Sequence, residues 1–249
     1  GGCPSATSGL VVSKLLKRAG DCADRAVLHN ALFLYLFLEI WLLLWRNYTF
    51  MCGIVGFTGR ENALPILIKG LYSLEYRGYD SAGIAAFTKD GLRVVKTRGR
   101  IANLEEKIRE EGELSCTCGI GHTRWATHGE PSDRNSHPHL GGRDGKGKVA
   151  VVHNGIIENY KELRERLEAH GYTFQSETDT ETVAHLVDYL HTGKQEDLAK
   201  TVLEAVQRIR GSYALGVVSM DNPEEIVAAR RDNPLVIGVG EGENMIASD

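Results

Sequence analysis

Apolar residues change their period along this chain, and each change marks an element. Residues 52–58 form a short apolar run that predicts a buried strand. Leu64, Leu67, Ile68 and Leu71 recur at helical spacing. Residues 82–88 and 92–97 predict strands, the second alternating, with Asp90-Gly91 as a hairpin turn between them. Ile101, Leu104 and Ile108 mark a helix. Residues 118–123 and 148–153 predict strands on either side of a long polar loop. Tyr160, Leu163 and Leu167 mark a helix closed by Gly171. Val183, Leu186, Val187 and Leu190 mark the next, and Leu198, Val202, Val206 and Ile209 another that ends before Gly211. Residues 213–219, 225–229 and 235–239 return to strands. Strands come in adjacent groups and so do helices. That grouping favours antiparallel sheets in a layered α+β sandwich over βαβ alternation.

The first 50 residues follow a different pattern. Lys14, Lys17, Arg18 and Arg25 are scattered ahead of an intensely apolar run at 31–45 that contains Glu39. The run is short of the roughly 20 residues a spanning helix needs. Its length suits a signal-peptide core, but no small-x-small cleavage site follows it. Three readings stand: a membrane anchor, a removable leader or propeptide, and upstream sequence wrongly joined to the gene. The last is favoured, because the chain opens on Gly1 while a methionine stands at 51, where the chemistry downstream wants an initiator. Residues 1–50 are therefore expected to lie outside the fold, and the domain to run over 51–249. A cytoplasmic location follows, with membrane association through 31–45 disfavoured.

Composition narrows the class modestly. With 42% hydrophobic and 25% charged residues the chain is ordinary globular material. A formal net charge of -4 offers no basic footprint for nucleic acid. Five cysteines in 249 residues do not make a disulfide framework. Cys116 and Cys118 flank a single residue, which fits neither a zinc knuckle nor a CxxC redox motif.

The chemistry concentrates at Cys52 and in the polar loops. If Met51 were removed, Cys52 would carry a thiol and a free α-amine on one residue. A thiol needs a base near pH 7, and an amine of pKa about 7.7–8.0 suits that task. The stretch 119–139 is too polar for core and too rich in Arg, Trp and His for a plain linker. A metal reading of His122, His128, His137 and His139 is disfavoured, since their spacing fits no familiar ligand pattern.

Five motifs stand in order: Cys52-Gly-Ile-Val-Gly56, Arg77-Gly-Tyr-Asp-Ser-Ala-Gly83, Gly121-His-Thr-Arg-Trp-Ala-Thr-His128, His153-Asn-Gly155 and Thr178-Asp-Thr-Glu181. Together they resemble the glutaminase domain of class II glutamine amidotransferases, which are N-terminal-nucleophile hydrolases. Within that class the wording is similar to the branch that aminates fructose 6-phosphate. The resemblance runs from Met51 to Asp249. It implies a four-layer αββα sandwich and hydrolysis of L-glutamine to glutamate and ammonia, with no cofactor. Fructose 6-phosphate would be bound by isomerase domains that this sequence lacks, and the full-length enzyme is expected to be a homo-oligomer. The resemblance also places Asp249 inside the domain, so some last strands are expected to be missing.

By the same resemblance Cys52 is the nucleophile, and Asn154 with Gly155 forms the oxyanion hole. Arg124 grips the substrate α-carboxylate and Asp179 the α-ammonium. Trp125, Thr127 and His128 belong to a loop over the substrate. His137 is similar to an active-site histidine, and Arg77 lies near the pocket. Plainer readings stay open beside these. Asn-Gly is a favoured hairpin turn. Thr178-x-x-Glu181 is a capping box that would make Asp179 a helix-start residue. Arg77 is equally an ion-pair residue. If the leader is retained, Cys52 has an amide in place of its amine, and the domain is an inactive or membrane-tethered module. Another cysteine-N-terminal amidase is the remaining alternative, though it gives no reason for pairing Arg124 with Asp179. Leu140–Gly147 reads as a Gly-rich surface insertion.

Overall fold

The computed structural model describes residues 52–112, 114–126, 129–143, 147–191 and 197–249. The expectations for residues 1–50 lie outside these. Among the described residues ten strands form two antiparallel sheets. In chain order the elements are β1 Gly53–Thr58, α1 Ala63–Leu74, β2 Ser81–Thr88, β3 Gly91–Arg98, α2 Ile101–Glu111, β4 Cys118–Arg124, β5 His139–Gly141, β6 Val149–Ile157, α3 Tyr160–Ala169, α4 Asp179–Leu190, α5 Leu198–Arg208, β7 Gly211–Ser219, β8 Asn222–Arg231, β9 Val236–Val239 and β10 Asn244–Ala247. The first sheet runs β3-β2-β4-β1-β10-β9 and the second β5-β6-β7-β8.

Three apolar clusters divide the layers. Ile54, Ala85, Ile120, Ala150, Val152, Ala214 and Val218 fill the space between the sheets. On the outer face of the first sheet, Phe57, Ile84 and Val95 pack under Leu67, Leu71, Leu104 and Ile108 of α1 and α2. On the outer face of the second, Val149, Val151 and Leu215 pack under Leu163, Val183, Val187 and Val202 of α3, α4 and α5. This is the four-layer αββα sandwich. Both faces of each sheet are covered, so strands such as 53–58 read as continuous apolar runs. Each large side chain sealed this way, Phe57 among them, contributes about 1.5–3 kcal/mol.

Several local signals operate as expected. α3 ends in a Schellman motif. Tyr172 N–H donates to Leu167 O and Gly171 N–H to Glu168 O, at 3.1 and 2.9 Å. Gly171 takes φ +86°, which glycine adopts without strain. Other readings need correction. The β2–β3 hairpin pairs Thr88 with Gly91, so its two loop residues are Lys89 and Asp90, and Gly91 opens β3. The stretch after His139 is not all surface insertion: His139–Gly141 pairs with β6, and Gly141 and Gly142 are buried. β10 has no period of its own in the sequence; its pairing with β1 specifies it. Strand β9 leaves Val236, Ile237 and Val239 exposed at the sheet edge. Among the described residues no helix is long and apolar enough to cross a membrane.

Candidate active site

The register of the first sheet begins the site. Gly53 stands opposite Thr123, which brings Cys52 level with Arg124 at the end of β4. Ser81, at the start of β2, is also opposite Arg124. Three motifs distant in sequence therefore meet at one end of the sheet. The second sheet supplies β6 and the start of α4 across the sandwich. A cleft with about 310 Å³ of open space is lined by Cys52, Arg124, Trp125, His137, His153, Gly155, Thr178, Asp179 and Thr180.

Among the described residues the Cys52 sulfur makes its two hydrogen-bond contacts with the backbone of Trp125. The Trp125 N–H donates to Sγ at 3.3 Å, and the thiol faces Trp125 O at 3.6 Å. Burial pushes the thiol up to about 11; the Trp125 N–H and the Arg124 charge pull it part of the way back, and Asp80 adds to the rise. Near pH 7 such a thiol stays protonated, so attack requires a base. Asp80 holds the loop itself, accepting from the Ala126 N–H while its own N–H donates to Arg124 O. Tyr79 meets the Trp125 ring edge-on at 5.2 Å between centroids.

Asn154 and Gly155 lie inside β6, opposite Ala214 and Tyr213 of β7, so the hairpin-turn reading of Asn-Gly does not hold. The strand runs on to Ile157, past the 153 expected from hydropathy. Asn154 Nδ2 donates to Cys52 O at 2.8 Å, and Asn233 Nδ2 holds the Asn154 carbonyl at 2.9 Å. Gly155 takes φ +125°, and a Cβ there would overlap the Ser212 carbonyl oxygen. Only glycine fits this bend in a paired strand.

The capping box is also corrected. Thr178 is the N-cap residue of α4, but its side chain makes no cap hydrogen bond. Its hydroxyl pairs instead with His139 Nε2 at 2.9 Å and Ser176 Oγ at 3.0 Å. Glu181 reaches past the cap to the N–H groups of Gln175 and Ser176, at 2.8 and 2.7 Å. Asp179 turns across to β6, where Oδ2 accepts from the Ile157 N–H at 2.8 Å. Its Oδ1 lies 3.9 Å from His153 Nδ1, and the side chain is 14% exposed. A carboxylate aimed from a helix start into the cleft is thus held in place by a strand of the second sheet.

Arg124 is buried, lines the cleft and donates from Nη2 to Gly129 O at 3.0 Å. His137 lines the same cleft, stacks on His122 at 4.2 Å and accepts from the His153 N–H through Nδ1. Arg77 is an ion-pair residue here: Nη1 donates to Ser248 O at 3.1 Å and Nε lies 3.8 Å from Asp249. Thr127 and His128 lie outside the described residues.

Sequence reasoning left His122 and His153 without a role. Both are buried beside Asn154, and burial is the main cause that lowers His122 to about 3 and His137, His139 and His153 below the usual imidazole range. Among the described residues no group of His, Cys, Asp and Glu is arranged to hold a metal. The signal that could have marked His122 was its alternation within 118–124, which places it on the inner face with Arg124.

A cysteine directly ahead of an inner strand of an αββα sandwich, facing polar groups from the second sheet, is the arrangement of the N-terminal-nucleophile hydrolase fold. Residues 122–249 match the glutamine amidotransferase domain family, and the chain belongs to it. It is 56% identical over 199 residues to a glutamine–fructose-6-phosphate aminotransferase (isomerizing) of Clostridium tetani, covering 80% of this chain and 32% of that protein. The corresponding Thermus thermophilus protein is 54% identical with the same coverage. The chain thus spans about a third of the length of these relatives. Among solved structures it is similar to the glutamine phosphoribosylpyrophosphate amidotransferase of B. subtilis complexed with ADP and GMP, with a TM-score of 0.65 and 30% identity over 79% of this chain and 42% of that one.

Proposed function

We propose that this domain hydrolyses L-glutamine and is the ammonia-producing part of a glutamine–fructose-6-phosphate aminotransferase. The observation that carries the reading is the convergence on one cleft of Cys52, the Asn154–Gly155 bend, Arg124 and Asp179. Cys52 Sγ attacks the side-chain amide carbon of glutamine while its own α-amine takes the thiol proton. The carbonyl oxygen becomes an oxyanion facing Asn154 Nδ2 and the Gly155 N–H. The C–N bond then breaks, ammonia leaves with a proton, and a thioester remains. Water adds to that thioester through a second oxyanion, the C–S bond breaks, and glutamate departs with the thiol restored.

Charge at the cleft supports the choice of substrate. Arg124 presents a planar fork to an α-carboxylate. Asp179 presents a carboxylate oxygen to an α-ammonium. The pair favours a free α-amino acid over a plain amide. The likeness to the aminotransferases supports fructose 6-phosphate as the acceptor, held by domains that the whole protein would contribute, with glucosamine 6-phosphate as product. Replacement of Cys52 by Ala tests the reading. Glutamine hydrolysis should vanish while the fold, read by circular dichroism and thermal unfolding, is kept. Retained hydrolysis would sink the mechanism.

A further inference from the structure

His122 sits at the centre of the sandwich with no exposed surface, on β4 between β1 and β2. Its Nε2 lies 3.0 Å from the His153 carbonyl oxygen and 3.0 Å from Asn154 Oδ1. A backbone carbonyl only accepts, so Nε2 must carry the proton of the neutral ring. Nδ1 then holds a bare lone pair, and it has no hydrogen-bond partner among the described residues. With Nε2–H aimed at it, the Asn154 amide must offer oxygen on that side, because its NH2 would meet the N–H donor to donor. The far side of the amide agrees: Nδ2 donates to Cys52 O at 2.8 Å. An amide NH2 has two protons. One is engaged by Cys52 O at 2.8 Å, which leaves the second for a further acceptor.

We propose that His122 is a positioning residue for the reaction: held in its Nε2–H form by the His153 carbonyl, it fixes the Asn154 amide with its NH2 toward the nucleophile. The inference rests on the reading of Asn154 as an oxyanion donor, and it adds a device that decides which end of that amide the oxyanion meets. Cys52 O alone is a weak keeper of this orientation, since it belongs to the residue that reacts. His122 meets the oxygen end of the amide, and Cys52 O meets the nitrogen end. Stacking on His137 and complete burial hold the ring plane, and burial keeps it neutral, with one donor and one acceptor.

Two measurements test this, the first on the full chain and the second on the fraction that hydrolyses glutamine. A long-range nitrogen–proton correlation spectrum of histidine-labelled protein reads the tautomer directly, whether or not the preparation is active. An Nε2–H signature for His122 is expected, and an Nδ1–H or doubly protonated ring would overturn the proposal. The second is a double-mutant cycle in glutamine hydrolysis. His122→Gln and His122→Met have the same length, but only Gln can donate to Oδ1. His122→Met should lower kcat about 10- to 100-fold with little change in KM, short of the 10²- to 10³-fold typical of a lost oxyanion donor. His122→Gln should restore most of that loss. On an Asn154→Ala background His122→Met should add less than about 3-fold, because the group it positions is gone. A loss of the same size on both backgrounds, or no rescue by Gln, would reduce His122 to packing. If Asn154→Ala alone leaves kcat unchanged, it is the oxyanion reading that fails, and this inference with it.

Discussion

Replacing Asp179 by Asn separates its two tasks. The carboxylate accepts the Ile157 N–H through Oδ2, which ties α4 to β6. The proposed function gives its remaining charge to the substrate ammonium. Asn keeps a carbonyl oxygen for Ile157 but removes the charge. Truncating one partner of a desolvated charge pair costs about 2–5 kcal/mol. The Asp179 side chain is 14% exposed, so water moderates the loss and the low end applies. About 2–3 kcal/mol corresponds to roughly a 30- to 150-fold fall in kcat/KM at 1.36 kcal/mol per decade. The ammonium is bound alike in ground and transition states, so the fall should lie in KM, with kcat within a few-fold of the parent. Asp179→Ala should show the same KM effect and also lose about 1–3 kcal/mol of stability, because the Ile157 N–H is left without its acceptor. The assay is glutamate release over a range of glutamine concentrations, alongside thermal unfolding of each variant. A KM for Asp179→Asn within about 3-fold of the parent would refute the reasoning and leave Asp179 as a strap between helix and strand.

Other expected outcomes follow from the same geometry. Asn154→Ala should lower kcat about 10²- to 10³-fold with KM little changed, as steady-state kinetics will read. Gly155→Ala forces a side chain onto φ +125° and into the Ser212 carbonyl, so it should destabilise by at least about 2 kcal/mol in urea unfolding. The four buried imidazoles have folded pKa values below the ordinary 6.5, His122 near 3. Their stabilisation is present above about pH 6.5 and is lost as pH falls toward 3, since the unfolded chain binds protons the native state refuses. The urea midpoint should therefore drop steadily between those values; a midpoint flat from pH 7 to 4.5 would contradict the neutral assignment. The Cys52 and Cys118 thiols are both raised from 9.0 to about 11, so stability should fall again as pH rises from 9 through 11.

The outer helices were legible because each covers one face of a sheet, which imposes a helical period, and strands such as β1 because cover on both faces makes them continuous apolar runs. β5 and β10 were not, at three and four residues, because pairing with β6 and β1 specifies them rather than any local pattern. Motifs led to Cys52, Arg124, Asn154 and Asp179, but local rules misjudged how two of these are held. Asn-Gly is ordinarily a turn pair; here β7 and Asn233 hold it within a strand. Thr178 to Glu181 has the spacing of a capping box, yet His139 of β5 takes the Thr178 hydroxyl and Glu181 reaches back past the cap to the Ser176 N–H. His122 escaped notice because its role depends on where an amide from the opposite sheet arrives, and that position exists only once the two sheets face each other.

The central claim is that Cys52 acts with its own α-amine. It is tested most directly by the N-terminal sequence and intact mass of the protein purified from its own cell, taken on the fraction that hydrolyses glutamine. The active fraction should begin at Cys52. An active fraction that still carries Met51 or residues before it would contradict the account, because an amide nitrogen cannot take the thiol proton.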